Sequence, residues 1–499
     1  MDYILSASEI KAWDAFTIEN EPISSIDLME RAAAACSKWL MNKYAAPSSF
    51  AIFCGNGNNG GDGLAIARIL AQHQYTVKVF IDDSLQKSID NKKNLHELTY
   101  LYPTCIFSLN EDWLIDENDI IIDSIFGIGI QRALEGKEKN WVTQINAFTN
   151  KKISIDMPSG LSADFDLRSD SIVQADYTLS FQCYKKTFMF VETGMYAGEI
   201  IVLDIGLHQA YLTNIRAQRI IINKHLLHSF LINRKAFAHK GIFGHALLIA
   251  GSHGKMGASI LASKAALRSG AGLVSVLVPE TENAIVQSSV PEAMSINYKH
   301  SFNITSLEAY QAIGIGCGLG QGEISKTIFT QLLSIQQHPI IIDADAINLV
   351  ANHPELLALI PKGSILTPHV KEFDRLFGPS ANAAQRFELQ KQKSKELQII
   401  ILLKGRYTCI TTPGGISYFN ITGNAGMATG GTGDVLTGII TGLYAQYKDI
   451  LKAALLGVYL HGLAADIAIT KNQSKESLIA SDIIEFLGSA FQEVHQATS

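Results

Sequence analysis

Short, unbroken runs of Ile, Val and Leu recur along this chain, and nearly every one ends in Gly, Asp, Ser or His. In the first half they read "SFAIFCG", "YTVKVFID", "DIIIDSIFG", "KKISIDMPSG" and "YTLSF". In the second they read "HALLIAGS", "GLVSVLVP", "QAIGIGCG", "PIIIDADA", "GSILTPH" and "QIIILLKG". Runs of this length without polar alternation suit strands buried on both faces, as in a parallel sheet. Helix-patterned segments separate many of them, which predicts a doubly wound α/β architecture. Ligands of such sheets bind beyond the carboxyl ends of the strands, where these Gly, Asp, Ser and His residues fall.

The chain has 499 residues, too many for one ordinary core at roughly 150 residues per domain. The strand–helix rhythm lapses between Leu203 and Gly244, where Lys, Arg and His gather. The break is placed near residues 210–235, which gives expected domains of 1–220 and 221–499. Hydrophobic residues make up 47% and charged residues 18%, with no compositional sign of disorder. A net charge of −6 argues against nonspecific nucleic-acid binding. Runs such as "IIIDSIFGIGI" are broken by charge and short for a bilayer. The opening "MDYILSASEIKAWDAF" lacks the n- and h-regions of a signal peptide. Cys36, Cys54, Cys105, Cys183, Cys317 and Cys409 form no CxxC pair and read as small buried hydrophobes in a reducing compartment. The expectation is a cytoplasmic homo-oligomer acting on small molecules, with no nucleic-acid or membrane partner.

Two glycine-rich stretches carry the chemistry. "CGNGNNGGDG" (Cys54–Gly63) follows the strand "FAIF" and precedes the helical "LAIARIL". Its glycines let backbone N–H groups approach an anion beside a helix N-terminus, and its asparagines can serve a phosphate or a cation. It is neither a Walker A loop nor a GxGxxG fingerprint. Two further strands end in "DSIFGIGIQRALEG" and "DMPSGLSAD", so Asp123, Asp156 and the first loop converge on one sheet edge. Oxygen donors without His or Cys suit an alkali or alkaline-earth ion. In "NAGMATGGTGDVLTGII", Asp434 lies at the start of a helix behind a Gly-Thr-Gly turn. Such a turn stabilises a phosphoryl group in transit, and a carboxylate beside it takes the proton of an attacking hydroxyl.

The first-half motifs, with "PISSIDLMERAA", resemble the NAD(P)H-hydrate epimerase family, the YjeF N-terminal domain, over roughly residues 1–215. That resemblance implies a Rossmann-like domain with potassium at Asn59, Asp123 and Ser159. It implies substrate contacts at Asn58, Asn59, Gly60, Gly61 and Asp62, along Gly127, Ile128, Gly129, Ile130, Gln131, Arg132 and Ala133, and at Asp156, the acid/base residue. The chain departs from the family's usual Thr-Gly pair after Pro-Ser-Gly, where it has "ADFDLRSD".

In the second half "HKGIFGHALLIAGSHGKMGA", "GIGCGLG", "IIDADAINL", "LTPHVKEFDRL" and "LLKGRYTCI" join the GTGD turn. Together they resemble the ADP/ATP-dependent NAD(P)H-hydrate dehydratase family over roughly residues 230–495. This implies a ribokinase-like domain with hydrate contacts at Ala258, Gly320, His369 and the catalytic Asp434. It implies nucleotide contacts at Lys404, Gly405, Arg406, Tyr407, Thr408 and Gly433, with ADP or ATP as phosphoryl donor and magnesium as its ion. Cys317 replaces the family's usual proline, and "HVKE" its His-Pro-Gly-Glu, which adds the charge of Lys371. Asp343 and Asp345 either face the site or serve the fold. Together the two resemblances imply repair of NADH and NADPH hydrates by epimerisation and then dehydration. The rival reading is a small-molecule kinase fused to a noncatalytic binding module.

Overall fold

The computed structural model describes residues 2–84, 86–130, 132–164, 170–215, 218–299, 307–471 and 473–496. Gln131 and part of the "ADFDLRSD" loop lie outside the described residues. The chain forms two compact units, one of Tyr3–Ala217 and one of Gln218–Ser499 with Met1–Asp2.

The first unit is built on a parallel sheet in the order Ile106–Ser108, Thr76–Ile81, Ser49–Cys54, Ile120–Ser124, Lys152–Ile155, Tyr177–Phe181, Glu199–Leu203. The chain steps outward from Ser49–Cys54 to one edge and then returns to that strand's other side at Ile120–Ser124. This reversal opens a crevice beyond the two strands' carboxyl ends. Phe53 pairs with Asp123, and Asp123 with Ser154, so the functional strand ends are level. Helices Ser25–Lys43 and Asn58–Gln72 cover one face through Cys36, Leu40, Leu64 and Leu70. Trp141 and Ile145 of Gly136–Ala147 cover the other with Phe53 and Phe80. The "PISSIDLMERAA" segment opens its helix with a reciprocal Ser24–Asp27 capping box.

The second unit's sheet runs Met294–Tyr298, Leu273–Pro279, His245–Ile249, Ala312–Ile315, Ile341–Ile342, Ile365–Leu366, Ile400–Leu403, Thr408–Thr411, Ser417–Asn420, Arg219–Ile222. The strand order reverses between His245–Ile249 and Ala312–Ile315. The sheet is not wholly parallel, as the sequence rhythm suggested: Thr408–Thr411 runs antiparallel to both neighbours. The links "KGRY" and "TPGGI" are too short for the crossover a parallel pair requires.

Helix Thr432–Tyr447 lies against Met256–Arg268 along a glycine face. A Cβ on Gly438 would stand 2.1 Å from the Ala262 carbonyl oxygen, and one on Gly442 2.5 Å from that of Ala266. That approach fixes where the helix's first turn, with Asp434, projects. The following helix, Ile450–Lys471, is long and apolar enough to cross a membrane, yet 83% of its most apolar window is buried in the protein. It is apolar all round because it is a core helix.

Candidate functional site

Helix Asn58–Gln72 starts six residues before the apolar "LAIARIL" segment, so the first loop's glycines belong to its opening turns. Gly57 caps it without any side-chain bond, leaving the helix end open toward the crevice. A cavity of 710 Å³ at that crevice is lined by Asn58, Asn59, Asp62, Gly127, Ile128, Gly129, Ile130, Arg132 and Asp156, joined by Lys11 and Asp14. Gly60 and Gly61 are not part of its wall. A Cβ on Gly60 would stand 1.8 Å from the Gly55 carbonyl oxygen, which requires glycine there, and one on Gly61 2.8 Å from Met29 Sδ, the end of a flexible side chain. Ala133 also stays out of the wall and accepts from Arg132 through its carbonyl.

Asp123 is fully buried; its carboxylate accepts from Ser159 Oγ at 2.5 Å, Ser159 N at 2.8 Å and Ser154 Oγ at 2.8 Å. Burial raises its pKa against these bonds. The Asn59 side chain is buried beside Gly127, and neither its Oδ1 nor its Nδ2 has a hydrogen-bond partner. An unpaired buried amide costs free energy, and its carbonyl with the oxygens of Asp123 and Ser159 makes a donor set that fits a hard cation such as potassium.

Asp156 sits at the end of strand Lys152–Ile155 with φ +63°, a left-handed backbone that aims its side chain back toward the sheet. Its Oδ1 accepts from Phe181 N at 3.1 Å and from Lys185 Nζ at 2.5 Å. Lys185 is fully buried and also donates to Ser180 Oγ and the Phe181 carbonyl. Sequence reasoning missed this lysine, because "CYKKT" carries no periodicity that marks one of its lysines as buried. It also missed Asp14, which burial and the neighbouring Asp156 push up to about 7 while Lys185 pulls the other way. Asp14 did have a signal: it shares a helical stripe with the buried Ile10 and Thr17. Asp62 is buried too, and burial, then Asp156, hold its carboxyl well above the usual range.

In the second unit Asp434 lies in the first turn of Thr432–Tyr447, behind Gly431 at φ +91°. Burial, with Asp343 nearby, raises its carboxyl to about 6, while a bond from Cys317 and the charge of Lys404 oppose the rise. Lys404 Nζ donates to Asp343 Oδ1 at 2.8 Å, and Thr437 Oγ1 to Asp343 Oδ2 at 2.7 Å. Burial works to lower the Lys404 pKa, but Asp343 and Glu372 outweigh it and raise the value. A Cβ on Gly433 would meet Lys404 Nζ at 3.4 Å. Asp343 therefore serves the site by holding its lysine. Asp345 holds a loop: its Oδ2 accepts from Gly320 N at 2.8 Å and lies 3.3 Å from Lys255 Nζ.

Lys404, Gly405, Arg406, Tyr407, Thr408 and Gly433 all line one cavity of 470 Å³. Its wall continues through Met427, Leu436, Val458 and His461. His369 caps helix Val370–Phe377 reciprocally with Glu372 and bridges the Lys404 strand end, so "HVKE" keeps a working cap. Lys371 is exposed. Ala258 abuts the glycine turn that holds Gly320, since a Cβ on Gly318 would come 2.9 Å from Ala258 Cβ. Cys317, in the same turn, bonds to Asp434. The four positions assigned to the hydrate thus connect through the Gly316–Gly320 turn and through Lys404. Among the described residues no group of three His, Cys, Asp or Glu is arranged to hold a metal ion.

Residues 25–187 match the family model for the YjeF-related protein N-terminus, and residues 246–487 that for NAD(P)H-hydrate dehydratase. The chain is 33% identical to the bifunctional NAD(P)H-hydrate repair enzyme of Moorella thermoacetica over 97% of its own length and 96% of that protein's. It is 32% identical to the Thermofilum pendens enzyme of the same name, over 99% and 97%. Among solved structures, the ADP/ATP-dependent NAD(P)H-hydrate dehydratase of Bacillus subtilis, co-crystallised with ATP and magnesium, superposes with a TM-score of 0.50 at 34% identity, covering 55% of this chain and 98% of that one. Two units of this architecture, matched end to end by such relatives, make the chain a member of the bifunctional NAD(P)H-hydrate repair enzyme family.

Proposed function

We propose that the first unit interconverts the R and S hydrates of NADH and NADPH, and that the second returns the S hydrate to the dinucleotide at the expense of ADP or ATP. The observation that carries the second step is Asp434, half-buried in a helix's first turn, with Lys404 and Gly433 between it and the nucleotide-sized cavity. Asp434 takes the proton of the added hydroxyl, whose oxygen then bonds to the terminal phosphorus as the nucleotide leaves. Lys404 and the N–H groups at the start of the helix offset the charge gathering on the phosphoryl oxygens. The new phosphate ester is a good leaving group: the ring nitrogen's electron pair expels it, and loss of the adjacent carbon's proton restores the double bond. Magnesium, bound with the nucleotide, supplies further charge neutralisation.

In the first unit Asp156 exchanges the proton. Lys185 and Phe181 N fix its Oδ1, leaving Oδ2 for substrate. Asn59, Asp123 and Ser159 would hold potassium, which would supply a fixed positive charge to the site.

The test follows recovery of dihydronicotinamide absorbance from a mixed-epimer NADH hydrate with magnesium, potassium and either ADP or ATP. Wild type recovers fully with at least one nucleotide. Asp434→Ala recovers nothing, and Asp156→Ala stalls once the S fraction is consumed. No recovery with either nucleotide would defeat the dehydratase reading and favour a kinase for some other alcohol.

A further inference from the structure

Asp14 and Asp156 line the same 710 Å³ cavity but have opposite surroundings. Asp156 is supplied with donors, since Phe181 N and the buried Lys185 Nζ both hold its Oδ1. Asp14 is half-buried; no described residue donates a hydrogen bond to its carboxylate, and neither of its oxygens is sealed off. The helix that carries it, Ala7–Asn20, is pinned. The Ser6–Glu9 capping box ties its start, and Ala7 N donates to Asp164 at 3.1 Å. Next to Asp14, Trp13 Nε1 donates to the His208 carbonyl at 3.0 Å, and one turn on Thr17 Oγ1 accepts from His208 N at 3.0 Å. The ionisable groups around Asp14 are Asp156, Lys185, the buried Asp62 and Cys183, with Lys11 one turn back on its own helix. Three carboxyls therefore meet one buried ammonium, and that ammonium is bonded to Asp156. A further negative charge beside these is disfavoured, and Asp14 keeps its proton up to about 7. Two carboxyls held so differently in one cavity divide into an acid and a base.

We infer that Asp14 is a second catalytic carboxyl of the first unit, giving a proton to the hydroxyl that leaves one face of the hydrate while Asp156 takes one from the water that arrives on the other. The ring nitrogen's electron pair becomes a carbon–nitrogen double bond as the carbon–oxygen bond breaks, and the protonated hydroxyl departs as water. Water adding to the opposite face returns that pair to nitrogen and gives its extra proton to Asp156 Oδ2, the oxygen that Lys185 and Phe181 N leave free. The product is the other epimer, with no net change in atoms or charge. Exchange with solvent then moves the proton from Asp156 back to Asp14, and the reverse inversion retraces the same steps. This role for Asp14 rests on the epimerase reading above and deepens it.

The experiment follows a purified S hydrate of NADH by chromatography, with the full chain and potassium but no nucleotide, as exchange above the spontaneous rate across the neutral pH range. Wild type should slow as pH rises through about 7, where the acid loses its proton. Asp14→Asn, which keeps the shape but cannot ionise, should exchange about 10²-fold more slowly and lose that alkaline limb. Asp14→Glu should keep the limb and part of the rate. In isotopically labelled water each inverted molecule should carry the label in its hydroxyl. Melting checks that each variant folds; if Asp14→Asn does not, the limb of Asp14→Glu and the label decide. An Asp14→Asn that slows but keeps the limb, an Asp14→Glu without it, or inversion without label would overturn the proposal. Exchange that Asp156→Ala abolishes and Asp14→Asn leaves at the wild-type rate would overturn it alone. A wild type with no exchange above the spontaneous rate would defeat the epimerase reading as well.

Discussion

The two glycine loops look alike in sequence, but the glycines at the start of each helix differ in what surrounds them. In the first, the glycines are demanded from behind: Gly60 presses on the Gly55 backbone, Gly61 on Met29, and a Cβ on Gly63 would stand 2.7 Å from Ser124 Oγ. In the second, Gly426 is also packed from behind, 2.6 Å from the Lys475 carbonyl oxygen, and Gly431 turns at φ +91°, but Gly430 has nothing within 4 Å of where a Cβ would lie and Gly433 meets only Lys404 and Asp343. One loop uses glycine to bring a helix close to a sheet. The other, at Gly430 and Gly433, leaves open space beside Lys404. A run of glycines before an aspartate therefore does not by itself show which side needs the space.

The contrast is open to direct attack. The largest effect should come from Asp434→Asn, which is expected to cut nucleotide-dependent recovery by about 10²–10⁴-fold while epimer exchange, followed by chromatography of the hydrates, continues. Gly60→Ala should do the reverse. With a backbone oxygen 1.8 Å from the new Cβ, it should destabilise the first unit by more than about 3 kcal/mol, lowering its melting step and abolishing epimer exchange with the S-hydrate assay intact. Gly433→Ala should melt with the wild type but weaken nucleotide binding about tenfold by calorimetry. If Gly433→Ala unfolded the protein and Gly60→Ala did not, the comparison would be backwards.

The smallest effect is a pH response. Asp434 acts as a base only when ionised, so with a carboxyl raised to about 6 dehydration should run at half its plateau near pH 6 and fall about tenfold per unit below. The sign for stability is the opposite. Folding raises this pKa from 3.8 to about 6, so the group favours the folded state below the lower value and loses that contribution as pH rises through the upper one. At pH 8, Asp434→Asn should therefore melt a few degrees above wild type. A melting point that fell instead would show that the carboxylate is held by more favourable contacts than burial allows.

How much of this was legible beforehand depends on whether a residue's role is local. The strands were legible because burial on two faces leaves unbroken apolar runs, and the place of Asp434 in a helix's first turn because turn, helix start and carboxylate are contiguous. The antiparallel strands Thr408–Thr411 and Ser417–Asn420 were not, since direction depends on the length of the link rather than on the run. Lys185 was invisible because its partner Asp156 lies 29 residues away and a buried lysine has no pattern of its own. The lysine held by Asp343 belongs to the same class, with 61 residues between the partners. His461 could have been noticed as a lone imidazole inside "LLGVYLHGLAA", though not the cavity whose wall it joins. Gly60 and Gly61 were assigned to the ligand because sequence shows that glycine is needed and not what would collide.

All six cysteines are buried and unpaired, and burial raises every one of their thiol pKa values. Almost none is thiolate at neutral pH, so peroxides and alkylating reagents find no reactive thiolate on the folded chain. The cysteine sulfur of this chain thus lies where such reagents do not reach, unlike that of the exposed Met195 and Met294. The same feature makes thiol labelling a direct clock of opening: Cys36, Cys54, Cys105 and Cys183 report on the first unit, Cys317 and Cys409 on the second.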